Sequence, residues 1–122
     1  MTQMNPQLEG AEKLEGTYPF DIRQSYRARK LNRFLWNLRL ADHRARFVTD
    51  EAQACRDAGL SDKEAKLVLS RDWLGMVKYG VPMFCIEKIA RVLKVTNLEI
   101  YAIFRGESFE DFLKTRRVPD AR

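Results

Sequence analysis

The side chains with the widest chemical repertoire are few: one histidine, His43, two cysteines, Cys55 and Cys85, and four tyrosines in 122 residues. A mononuclear iron site of the two-histidine, one-carboxylate type needs a second histidine. A zinc site of usual composition needs more than one histidine and two distant cysteines. Metal catalysis by this chain's own ligands is therefore not expected, and the metal-ligand set is read as none. Cys55 and Cys85 share no CxxC spacing and stand in no nucleophile elbow or helix-start motif, so they read as reduced thiols without a disulfide. A cysteine–histidine couple with His43 would need an unforced spatial coincidence. No GxGxxG or P-loop occurs, which removes the usual support for nucleotide binding. The adjacent charges Arg71/Asp72 and Glu87/Lys88 read as solvated helix surface. No residue of this chain is assigned a catalytic role.

What remains is aromatic and basic. Tyr79 stands in the turn Lys78-Tyr79-Gly80-Val81-Pro82, where two helical patterns meet, and Tyr101 stands near a second helix end. Tyrosines in such places commonly pack the ring and keep the hydroxyl wet. The wider set of Trp36, Trp73, Tyr79, Phe84, Tyr101, Phe104, Phe109 and Phe112 is large for a small domain and reads as a core plus a binding face. The net charge of +5 is unevenly spread. Residues 1–21 hold Glu9, Glu12, Glu15 and Asp21 against Lys13. Residues 22–46 hold Arg23, Arg27, Arg29, Lys30, Arg33, Arg39, Arg44 and Arg46 against Asp42. A basic stripe of this kind meets phosphate, an acidic partner surface or only water.

The elements that must position these residues are helical. Residues 1–16 show no period and read as a flexible N-terminal arm, and Gly16-Thr17-Tyr18-Pro19-Phe20 reads as an extended strap. Leu31, Phe34, Leu35 and Leu38 form one apolar stripe of a first helix from about Ser25 to Ala41. A second runs to about Ala58 with Phe47, Ala54 and Cys55 inward, closed by Gly59. Ser61-Asp62-Lys63-Glu64 is a capping box that opens a third, apolar on more than half its circumference and expected at the centre. Gly80 ends it, and Pro82 starts a fourth carrying Ile86, Ile89, Ala90 and Leu93. Thr96-Asn97-Leu98-Glu99 is a second capping box before a fifth helix with Ile100, Tyr101 and Phe104, and Ser108 caps a last segment.

No stretch alternates as a strand would. The expected fold is thus all-α, a compact orthogonal bundle of five or six short helices spanning residues 17–117, with a frayed tail at 118–122. No apolar run approaches the ~20 residues of a membrane span, and the acidic N-terminus has no apolar signal region, so the expected location is cytoplasmic. A second architecture competes for residues 86–105, a helix-turn-helix that would bind DNA as a small regulator. Its recognition helix would begin Asn97-Leu98-Glu99-Ile100, a poor set for reading bases, and nucleic acid is not the expected partner.

Four segments together resemble a known family: Tyr26-Arg27-Ala28-Arg29-Lys30-Leu31-Asn32, Asp42-His43-Arg44-Ala45-Arg46-Phe47, Ser70-Arg71-Asp72-Trp73 leading to Tyr79-Gly80, and Asn97 through Phe109. In order and over roughly Thr17 to Arg117, they look like the small (alpha) subunit of protocatechuate 4,5-dioxygenase. They are also similar to the C-terminal domain of gallate dioxygenase. The resemblance implies a helical small subunit with no cofactor in this chain. A large catalytic (beta) subunit would hold Fe(II) and open the ring of protocatechuate, gallate or a related catecholic acid with dioxygen. It further implies that Tyr79, Gly80, Met83, Phe84 and Tyr101 form a lid and contact the substrate in the complex. Tyr18, Phe20, Arg27, Arg29 and Lys30 would then face the partner.

Overall fold

The structure is a computed structural model that describes residues 22–116 together with Gln7, Glu9, Gly10, Lys13 and Leu14. The tail at 118–122 and most of the arm at 1–16, like the strap residues Tyr18 and Phe20, lie outside the described residues. Among the described residues there are nine helices and no strand: α1 (Ile22–Arg27), α2 (Arg29–Asn37), α3 (Ala41–Thr49), α4 (Glu51–Asp57), α5 (Asp62–Leu69), α6 (Trp73–Tyr79), α7 (Met83–Val92), α8 (Asn97–Phe104) and α9 (Phe109–Arg116). The all-α expectation holds, and the count exceeds the expected five or six because the first three predicted helices are each broken in two.

Each break is marked by a residue that leaves helical geometry. Ala28 departs from helical geometry (φ −91°, ψ 9°) between α1 and α2, although the Ala28 N–H still donates to Gln24 and the Asn32 N–H to Ala28. Asp50 is extended (φ −154°, ψ 95°) and its carboxylate accepts from the Gln53 N–H, so it ends α3 and caps α4. This is the ordinary preference of aspartate for a cap over a helix interior. Arg71 takes φ 56°, an uncommon left-handed conformation for a non-glycine residue, and Asp72 then caps α6 by accepting from the Gly75 N–H. The two capping boxes form as expected, Ser61 with Glu64 and Thr96 with Glu99.

The core is assembled from the predicted stripes. Leu31, Phe34, Leu35 and Leu38 are all buried, and α2 packs along α7, which contributes Ile86, Ile89 and Ala90. Phe47 from α3 meets Phe34 edge-on at 5.9 Å between ring centroids. Cys55, Val68, Trp73, Met76 and Ile100 close the same cluster. Each fully buried Leu, Ile or Phe of this kind contributes on the order of 1.5–3 kcal/mol over its exposed state. Within the expected third helix it is α6 that takes the central position, touching α5, α7 and α8. Leu69, at the end of α5, lies exposed instead.

Candidate functional site

The corner between α6 and α7 is built by a close approach of three segments. Gly80 has φ 122°, where a side chain is strained, and a Cβ there would stand 2.7 Å from the Gln24 carbonyl oxygen and 3.3 Å from the Ala28 Cβ. The α1–α2 junction is thereby seated on the corner. Arg27 ties the two together: its Nε and Nη2 donate to the Tyr79 carbonyl at 3.2 and 2.6 Å, and Nη2 also donates to that of Lys78 at 3.3 Å. The Asn32 Nδ2 donates to the Gly80 carbonyl at 3.2 Å, and Asn32 in turn receives the Cys85 thiol at 3.8 Å.

Tyr79 itself is half-buried, its ring flanked by the Arg27 guanidinium at 5.0 Å and the Lys63 ammonium at 5.3 Å. Burial first, then the charge and hydrogen bonding of the Glu64 carboxylate, push the Tyr79 phenol above its ordinary pKa, with Arg27 acting the other way. Glu64 is only 4% exposed, and its Oε1 also accepts from the Ser61 N–H at 2.9 Å. The capping box is visible in the sequence, but its second duty toward Tyr79 is not, because nothing local signals that α5 folds back over the end of α6.

Beyond the corner lies an open groove of about 420 Å³ lined by Ser25, Asn32, Arg33, Trp36, Pro82, Phe84 and Cys85. Phe84 is 56% exposed and meets Trp36 edge-on at 5.9 Å. Arg39 and Lys88 stand over the Trp36 ring at 4.8 and 5.3 Å. Met83 is half-buried against the core. The Asn32 Oδ1 is buried without a hydrogen-bond partner. Both thiols are buried and free, and Cys85 is pushed up to about 11, chiefly by burial.

The structure thus gathers Tyr79, Gly80, Met83 and Phe84 at one corner, as their sequence proximity requires. Tyr101 stands half-buried on α8, which packs on α6. Of the basic residues expected at a partner surface, Arg27 is engaged with the corner carbonyls. Arg29 lies over the Tyr26 ring at 4.2 Å and donates to the Tyr26 carbonyl, and Lys30 is exposed. Sequence reasoning counted Trp36 only among the surplus aromatics. Its pairing with Phe84 required the contact between α2 and α7.

The helix-turn-helix outline of α7 and α8 also takes definite form, with Lys94 at φ 59° in the turn. The side chains that would enter a groove are used internally. Asn97 donates to Glu87 at 3.1 Å, Glu99 accepts from the Thr96 N–H at 3.3 Å, and Arg105 pairs with Glu107 at 3.0 Å. His43 is half-buried on α3. Among the described residues no three His, Cys, Asp or Glu side chains are grouped to hold a metal.

Residues 31–117 match the family model described as the aromatic-ring-opening dioxygenase LigAB, LigA subunit. This chain belongs to the LigA-subunit family. The match runs from α2 through α9, so it contains the LigA-subunit counterparts of the Tyr79 corner, the Trp36–Phe84 pair and Tyr101, and it begins after Arg27, Arg29 and Lys30. A gallate dioxygenase from Pseudomonas putida (strain KT2440) is 48% identical over 113 residues, which is 93% of this chain. The LigA-type chain spans about a third of that relative's length, 33%.

Proposed function

We propose that this chain is the non-catalytic small part of an iron(II) extradiol dioxygenase that opens the ring of protocatechuate, gallate or a related catecholic acid. The observation that carries the reading is the family match along α2–α9, joined to 48% identity with a gallate dioxygenase of about three times the length. A large catalytic partner would supply what that further length supplies in the relative. The donor set of this chain, with its single histidine, does not fit a two-histidine, one-carboxylate iron site, so the iron is assigned to the partner.

In this reading the Tyr79 corner covers the partner's active site. Tyr79, Gly80, Met83, Phe84 and Tyr101 form the substrate-facing set. Phe84 and Met83 offer apolar surface that excludes water from a bound aromatic acid. The Tyr79 hydroxyl both donates and accepts, so in this reading it accepts from a ring hydroxyl of the substrate. Tyr101 supplies a second phenol. The buried Glu64 carboxylate, whose charge bears on the Tyr79 phenol, is then a positioning group.

The purified chain alone should open no ring, and activity on protocatechuate or gallate should appear when the larger subunit is added. Iron-dependent ring cleavage by the isolated chain would overturn the proposal. In the reconstituted enzyme, Tyr79→Phe and Tyr101→Phe should each lower ring cleavage while assembly is unchanged. Wild-type kinetics in both variants would return the two tyrosines to a packing role.

A further inference from the structure

The pair α1–α2 has two contrasting sides. One side is the buried stripe of Leu31, Phe34, Leu35 and Leu38. The other is an exposed stripe of Ile22, Tyr26, Arg29, Arg33, Trp36 and Arg39, spaced by four, three, four, three and three residues. That is the same helical period, carried across Ala28 by the hydrogen bonds that continue through it. Ile22 and Tyr26 are 85% and 66% exposed. Phe84 joins the stripe from α7 through its contact with Trp36, and the stripe borders the groove floored by Asn32.

Two features of this surface suit a partner. Exposed aromatics in contact with one another form a contiguous apolar patch, which marks interaction sites. The residues from Ile22 to Ala41 include Arg23, Arg27, Arg29, Lys30, Arg33 and Arg39 and not one Asp or Glu, so the surface favours a negative counterpart. Aromatic anchors with arginines stacked on them are the composition of interface hot spots.

We infer that this stripe, with Trp36 and Phe84 as anchors, is the docking surface for an acidic face of the larger dioxygenase subunit. The inference rests on the reading of the chain as a dioxygenase small subunit and adds which face meets the partner. It places the main contact on the stripe and the groove, with Arg27 serving to hold the corner. Because the groove runs to Pro82 and Phe84, docking along the stripe brings the proposed lid against the partner's site.

The test uses the native complex, isolated through a tag on the full chain, with its larger subunit separated and purified. Binding of that subunit is titrated with wild type, Trp36→Ala, the double variant Arg33→Glu/Arg39→Glu, and Val48→Ala, an exposed residue of α3. Each titration is run at low and moderate salt, with ring cleavage recorded. The expected result is binding weakened by about tenfold or more for Trp36→Ala and for the charge reversal. Wild-type affinity should fall as salt rises, Val48→Ala should bind as wild type, and helical circular dichroism should be unchanged throughout. Wild-type affinity in both stripe variants, with ring cleavage restored, would overturn this docking face and leave the functional reading intact. A larger subunit that opens no ring even with wild type would remove both. Two other occupants would also overturn the inference. Iodide access to Trp36 that appears only on deleting residues 1–16 would assign the stripe to the chain's own acidic arm. Loss of self-association in the variants, without loss of partner binding, would assign it to a second copy.

Discussion

At the scale of single residues, the decisive position is Gly80. Its backbone is in a region that side chains rarely adopt, and the neighbouring Gln24 carbonyl leaves no room for a Cβ. Gly80→Ala therefore combines a backbone penalty with a clash against backbone atoms of another helix, and should cost about 2–4 kcal/mol of unfolding free energy. Denaturant melts of the isolated chain would measure it, and a loss under 1 kcal/mol would mean that the α1–α2 junction yields easily. Cys85 offers a chemical reading of the same corner. Its thiol is buried against Asn32 and pushed up to about 11, so it should react far more slowly with a disulfide reagent at pH 8 than an unfolded cysteine does. Rapid labelling in native buffer would show that the corner opens on its own.

At the scale of elements, the tether between α4 and the α5–α6 turn is an ion pair. Arg71 donates from Nη1 and Nη2 to the two carboxylate oxygens of Glu51 at 2.7 and 2.6 Å, which is a bidentate geometry. That contact lies beside the left-handed backbone of Arg71, at the kink that separates α5 from α6. The hydrogen bond from Arg71 lowers the Glu51 pKa against the opposing effect of burial. A carboxyl lowered on folding stabilises the protein above its unfolded pKa and loses that contribution as pH falls through the lowered folded value. Both side chains are about a third exposed, so screening limits the gain, and Glu51→Gln should cost about 1 kcal/mol near neutral pH. The difference between wild type and Glu51→Gln should vanish in acid melts below the folded Glu51 pKa. A difference independent of pH would mean that the Glu51 charge is not what Arg71 relies on.

At the scale of the whole molecule, the fold presents its aromatics in two populations. One is buried and includes Phe34, Phe47 and Trp73 of the shared core; the other is exposed and includes Tyr26, Trp36 and Phe84. On the proposed function, a chain that belongs to the LigA-subunit family and spans about a third of a relative's length is a cover for chemistry performed by a larger partner. Ring cleavage is then expected only when a larger subunit is present, which assays with and without it would check.

The helical class, the inward stripes, both capping boxes and the stop at Gly80 were legible from residues alone, because periodicity, capping and left-handed backbone depend on neighbours within a turn or two. The tertiary structure decided where the long helices break. At Arg71 the unusual backbone is found beside a carboxylate twenty residues earlier in the chain, which no local pattern reveals. It also decided what the corner is made of: that Glu64 faces the Tyr79 hydroxyl, that Arg27 is spent on the Tyr79 carbonyl, and that Trp36 meets Phe84. The Arg27 and Trp36 contacts join elements far apart in sequence, and only packing of the helices around the shared core brings them together.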